Sequence, residues 1–166
     1  MTTAQQQNWL RDGIITGGAA AAAVTATIAA FGQAKEGSAW TPFNAIAHML
    51  FGEKAVGVEG WAPKETLSGL GLNAGALATW GLLYEKLAGK VPFPASLGAG
   101  AAASALIWLI DYKIVPDRLR PGFEKRLGSP SVAAAYILLA LSFGLSPLWK
   151  PAVSPAAGAA DGQDDA

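Results

Sequence analysis

The sequence predicts an all-α membrane protein: a four-transmembrane-helix bundle with one short interfacial or re-entrant helix between spans 1 and 2. Three observations carry this expectation. The 166-residue chain is 52% hydrophobic and only 14% charged, with a mean hydropathy of +0.32, whereas soluble domains carry about 25% charge. Residues 13–34, 66–84, 91–110 and 127–149 contain no Asp, Glu, Lys or Arg. A hydrocarbon core of about 30 Å takes roughly 20 helical residues, so each stretch is long enough to span. Aromatic residues suited to a membrane interface stand near the ends: Trp9 before span 1, Tyr84 closing span 2, Tyr112 closing span 3 and Trp149 closing span 4. A surface helix of a soluble bundle would show a polar face at every turn.

The elements follow in order. Residues 1–12 form an N-terminal segment, and span 1 covers about 13–33. A cleaved signal peptide is disfavoured there, because its only preceding basic residue, Arg11, is followed at once by Asp12. In residues 42–52, Phe43, Ile46, Ala47, Leu50 and Phe51 follow helical spacing. Eleven residues rise only about 16 Å, so this helix is expected to lie in the interface or re-enter partway. Spans 2, 3 and 4 cover about 64–86, 94–115 and 130–148, completing a membrane domain over 13–150. Pro42, Pro63, Pro94 and Pro130 each stand where a helix opens, a position where proline loses no hydrogen bond. Thr41 and Ser129 precede two of them as N-caps, and Gly32, Gly52 and Gly89 suit helix exits. Residues 87–94 make a short connection, so spans 2 and 3 should form an antiparallel hairpin. The tail, 151–166, is Pro, Ala, Gly and Asp with little to pack, and is expected to be disordered.

Loop charge sets the expected orientation. Lys35, Lys54, Lys64, Lys113, Arg118, Arg120, Lys125 and Arg126 fall in loops 1–2 and 3–4, against Arg11, Lys86, Lys90 and Lys150 on the other side. The positive-inside rule then places those loops in the cytoplasm and both termini outside. Membrane helices associate through close approach at small residues. Gly71 and Gly75 of span 2 have GxxxG spacing and are the candidate packing or self-association face. No span carries a charged residue at its middle, which counts against an ion or proton path.

Composition also bounds the chemistry. With 12 basic and 12 acidic residues there is no charge excess suited to nucleic acid. The absence of cysteine excludes disulfides, thiol nucleophiles and Fe–S clusters. His48 is the one histidine. A bis-His haem would need it from two chains, so no cofactor and no metal is expected. No P-loop, GxSxG, HExxH or GxGxxG pattern occurs, so no enzyme activity is expected. Asn44 and His48 are four apart and share one helix face. That face meets headgroups if the helix is an interfacial anchor, or lines a polar pocket if it faces the bundle. Asp111 lies one turn inside the end of span 3, followed closely by Arg118 and Arg120. Asn44, His48, Asp111, Arg118 and Arg120 are therefore the candidate ligand-binding residues; the basic loop either sets orientation and ties itself to the helix end through an Asp–Arg pair, or holds an anionic lipid headgroup. A His48–Asp111 pair would suit acid–base work, but no nucleophile accompanies it.

The loop residues Trp40-Thr-Pro42-Phe-Asn44-Ala-Ile-Ala-His48 with Gly52-Glu53, and Asp111-Tyr112, Val115-Pro116, Arg118 and Pro121-Gly122-Phe123-Glu124, resemble those of small uncharacterised four-span inner-membrane proteins of proteobacteria. The resemblance implies a bacterial inner-membrane protein of four spans and transfers no catalytic role. The expected function is structural or accessory: association with itself as a homo-oligomer, or with a larger membrane complex. The alternative is a lipid or small-molecule binding or carrier protein with a polar site at the cytoplasmic-side interface.

Overall fold

The computed structural model describes residues 3–150, so the tail expected to be disordered lies outside the described residues. Every regular element among the described residues is helical. The long helices are α1 (Thr3–Glu36), α4 (Pro63–Ala88), α5 (Ala95–Leu109) and α7 (Ser129–Gly144). Short helices fill the connections: α2 (Thr41–Ile46), α3 (His48–Phe51), α6 (Glu124–Leu127) and α8 (Ser146–Trp149). By length and composition two helical stretches, Asn8–Glu36 and Ala95–Ile114, suffice to cross a membrane, and Ser129–Gly144 is a shorter apolar helix.

Local chemistry explains most boundaries. Pro42, Pro63 and Pro130 sit in the first turns of α2, α4 and α7, where a missing N–H costs nothing. Pro94 stands just before α5 instead. Thr41 and Ser129 are first helical residues and not caps, and the Thr41 hydroxyl accepts the Gly60 N–H at 3.0 Å. Gly52 ends α3 with φ +77°, a conformation that favours glycine. Gly32 is no exit: α1 runs on to Glu36 and is followed by Gly37 at φ +66°. Gly32 matters because the Pro42 ring packs on it, 2.6 Å from where a Cβ would stand. The fourth apolar run is broken at Leu145, with Pro147 restarting it as α8.

The segment between α1 and α4 is two short helices where one was expected. Residues 42–52 form two short helices, broken at Ala47, and every residue from Thr41 to His48 is buried. The segment packs on α4 and is closed over by α1 and α6. Of the two readings of the Asn44 and His48 face, the inward one fits: their polar atoms are satisfied inside the protein, by backbone carbonyls and the Thr66 hydroxyl.

Close backbone contact decides the helix neighbours. α1 crosses α4 where Gly13 and Gly17 meet Leu82 and Ala78, and where Gly81 meets the Gly17 backbone. α5 crosses α7 where Gly100 faces Ala140 and Gly144, fastened by Ser96 Oγ donating to the Gly144 carbonyl (2.6 Å) and Ser104 Oγ to the Tyr136 carbonyl (2.7 Å). α1 also packs on α7, joining the two pairs. The expected hairpin of spans 2 and 3 is corrected by this arrangement, since α4 and α5 are consecutive but scarcely touch. Among the described residues Gly71 and Gly75 pack on nothing: a Cβ at either meets no atom within 4 Å.

Ion pairs close the two ends of the bundle. At the end holding the α1–α4 and α5–α7 loops, Lys125 pairs with Glu53 (2.6 Å), and Arg126 pairs with Glu36 and Glu59. Lys35 Nζ donates to the Leu127 carbonyl at 2.6 Å. At the other end Glu85 is buried, accepting the Thr16 hydroxyl (2.7 Å) and the Lys150 ammonium (2.6 Å).

Candidate functional site

Because α4 leans on α1 and α5 leans on α7, a gap is left between α4 and α5. It forms a cavity of about 550 Å³, within the range of roughly 300–1,000 Å³ typical of ligand sites. One wall is α4 from Ser68 to Trp80, a run of about 18 Å at 1.5 Å per residue. Facing it are Ile107 of α5, Asp111 just beyond its end, and Ala135, Tyr136 and Leu139 of α7. Val24 of α1 and Leu77 lie deep in it, while Met49, Leu50, Leu119 and Pro121 close it at the loop end. Gly71, Gly75, Leu50 and Leu119 are both lining and exposed, so the cavity opens at the protein surface.

The lining is apolar apart from a few groups. Asn73 donates to Thr25 Oγ1 at 2.9 Å and so is engaged with α1. Asp111 accepts the Tyr136 hydroxyl at 2.6 Å. The backbone there departs from the α-helix: residues Ile110–Ile114 form one π-helical turn, closed by Val115 N–H donating to the Ile110 carbonyl at 2.9 Å. Such a turn swings side chains off the regular helix face, and π turns recur at functional sites. Here Asp111 meets Tyr136, while its neighbour Tyr112 donates to Glu124 at 3.2 Å.

Among the described residues, no hydrogen bond or ion pair joins any two of the five residues expected to share one polar mouth. Asn44 is a buried strut: its amide donates to the Val58 (3.1 Å) and Gly60 (2.8 Å) carbonyls, and its oxygen accepts the Thr66 hydroxyl at 2.5 Å. It therefore ties α2 to the loop entering α4. His48 is also buried, with Nδ1 2.9 Å from the Ala45 carbonyl and Nε2 3.4 Å from the Asp117 carbonyl. Gly122, at φ +91°, lies against this ring, and a Cβ there would fall 2.6 Å from Nδ1. His48 thus supports the Asp117 loop and makes no contact with Asp111, so the acid–base pair does not form. Arg120 pairs with Asp117 at 2.9 Å. Arg118 is exposed on the same loop, its Nε 3.5 Å from the Met49 carbonyl. Of the five, Asp111 alone lines the cavity.

The Lys125 ammonium bonded to Glu53 holds that carboxyl below the usual carboxylate range. It fastens the loop after α3 to α6.

Two sets of residues escaped the sequence reading. Tyr136 was legible only as a lone polar aromatic within an Ala/Leu run. Glu85 sits near the end of α4 and Thr16 in an apolar stretch of α1, and nothing in their spacing links them to Lys150. Compared with known protein families, curated proteins and solved structures, the chain matches none.

Proposed function

We propose that the chain is a four-span inner-membrane protein that holds the apolar chain of an amphiphile in the groove between α4 and α5. The cavity is the observation that carries this reading: apolar along its depth, open at the surface, with Asp111 bonded to Tyr136 in an otherwise apolar wall. Four spans are supported by helix lengths. At 1.5 Å per residue α1, α4 and α5 with its π turn rise about 51, 39 and 30 Å, and α7 about 24 Å before α8 continues it. They are supported too by large apolar side chains turned outward on every one of them: Ile14, Leu67, Leu87, Leu106, Ile137 and Leu141. That much outward apolar surface suits lipid contact and would be an aggregation hazard in water. The loop end carries most of the basic residues, which supports its placement in the cytoplasm.

The test is native mass spectrometry of the full chain released from bilayers, comparing wild type with Gly75→Leu. Gly75 lines the groove and has open space beside it, so a leucine there fills the groove without disturbing helix contacts. Wild type should carry a lipid adduct in 1:1 ratio that Gly75→Leu loses. Equal adducts on both proteins would refute the groove as the binding site.

The accessory reading is supported by one observation, the bare Gly71 and Gly75 stripe on α4. Small residues of this spacing let a second helix approach closely. A second copy of the chain, or a partner span, seated there would appear in the same spectra as a homo-oligomer or a mixed complex.

A further inference from the structure

The charges at the loop end bear on what kind of headgroup the groove takes. Most of the basic side chains there are already engaged: Arg120 by Asp117, Lys125 by Glu53, Arg126 by Glu36 and Glu59, and Lys35 by the Leu127 carbonyl. Lys64 and Lys113 lie over the Phe51 and Trp108 rings, 4.4 and 5.7 Å from their centres. None of these residues lines the cavity. The carboxylic acid that does line it, Asp111, is held among the described residues by the Tyr136 hydroxyl alone. Among the described residues no Lys, Arg or His lies within ion-pair distance of it. Its chain neighbour Tyr112 reaches a second carboxylate, Glu124, at 3.2 Å. A carboxylate in an apolar setting needs a counter-charge or hydrogen-bond donors, and this one has a single protein donor. An anionic headgroup would bring like charge to it.

Arg118 is the complementary feature. Its side chain is exposed on the loop whose next residue, Leu119, closes the groove, and among the described residues it has no carboxylate within ion-pair distance. A guanidinium so placed suits a phosphate.

We propose that the groove selects a phospholipid whose headgroup ends in a primary ammonium, with the ammonium on Asp111 and the phosphate toward Arg118. The inference rests on the groove-binding reading and deepens it, replacing the anionic headgroup with a zwitterionic one. One acyl chain lies along α4 toward Leu77 and Trp80, and the other remains in the bilayer.

The test reconstitutes the full chain in nanodiscs of equal parts phosphatidylethanolamine and phosphatidylglycerol and reads the retained lipid by native mass spectrometry. Wild type should retain phosphatidylethanolamine over phosphatidylglycerol by about tenfold or more, the scale of a hydrogen bond to a charged group. Asp111→Asn, whose amide oxygen still accepts from Tyr136, should retain lipid with that preference reduced to within about twofold. Tyr136→Phe keeps the carboxylate and should keep the preference. A wild-type preference for phosphatidylglycerol, or none, overturns the inference without using any variant. So does a preference unchanged in Asp111→Asn. Failure of the groove reading is seen separately, as Gly75→Leu retaining as much lipid as wild type.

Discussion

Replacing Lys150 with Met strands the carboxylate of Glu85. The Lys150 ammonium donates to Glu85 Oε2 at 2.6 Å and to the Gly89 carbonyl at 2.8 Å. The pair is closed in, with side-chain exposures of 10% for Lys150 and 2% for Glu85. After the substitution, Glu85 keeps, among the described residues, the Thr16 hydroxyl alone. Removing one partner of a buried pair costs about 3–5 kcal/mol, because the remaining charge stays desolvated. The lysine is the more exposed of the two, which places the expected loss near the lower end, about 3 kcal/mol. At about 2–4 °C per kcal/mol for chains of this length, the melting temperature should fall by about 6–12 °C. The assay is thermal unfolding of the purified protein in mild detergent, followed by far-ultraviolet circular dichroism. The double variant Glu85→Gln with Lys150→Met removes both charges and should recover a large part of the loss. A loss below about 1 kcal/mol for Lys150→Met, the level of an exposed pair, would refute the argument. Strictly additive single effects would do so equally.

Further outcomes follow from the packing and the polar contacts. Gly81→Leu should separate α1 from α4, since even a Cβ there meets the Gly17 backbone; a loss of about 1–3 kcal/mol is expected. Gly71→Ala should instead raise the melting temperature slightly, by about 0.5–1 kcal/mol of helix propensity, because its Cβ meets nothing. Asn44→Ala removes three buried hydrogen bonds and leaves the Thr66 hydroxyl and two carbonyls without that partner. It should cost about 2–4 kcal/mol in a denaturation series, and Asn44→Asp should not rescue it, because a carboxylate oxygen would face the Val58 and Gly60 carbonyls. Glu53 has its folded carboxyl pKa lowered by Lys125, so its contribution is present above the unfolded value of about 4.3 and is lost as pH falls through the folded value. The melting-temperature difference between wild type and Glu53→Gln should therefore shrink on acidification below about pH 4, and a difference that widens there would contradict the assignment.

The long helices were readable because their cause is local. Pro63 opens α4 where its lost N–H is harmless, and an uncharged run of about 20 residues reads as a long apolar helix without reference to any other part of the chain. Asp111 was also readable, as an acid one turn from the end of an apolar run. The fate of residues 42–52 was not. Amphipathic spacing shows that one face differs from the other, but it does not show whether the polar face meets water or a ring of buried carbonyls. Asn44 and His48 meet the latter, through Val58, Gly60 and Asp117, which come from loops up to 69 residues away.

Helix order around the bundle was equally hidden. A short loop after α4 suggested that α5 would pack beside it, and sequence spacing marked Gly71 and Gly75 as the contact. Tertiary structure chose Gly13, Gly17 and Gly81 for one crossing and Gly100 and Gly144 for the other. The choice depends on which small residues coincide in space with a partner's backbone, a non-local condition that no single helix records. From that choice the groove arises, with Gly71 and Gly75 on its wall and Asp111 beside Tyr136. The chain's composition and periodicity determined by themselves that it is helical and apolar. Its cavity was decided only by the three-dimensional pairing of helices, because an empty space is defined by which surfaces fail to meet.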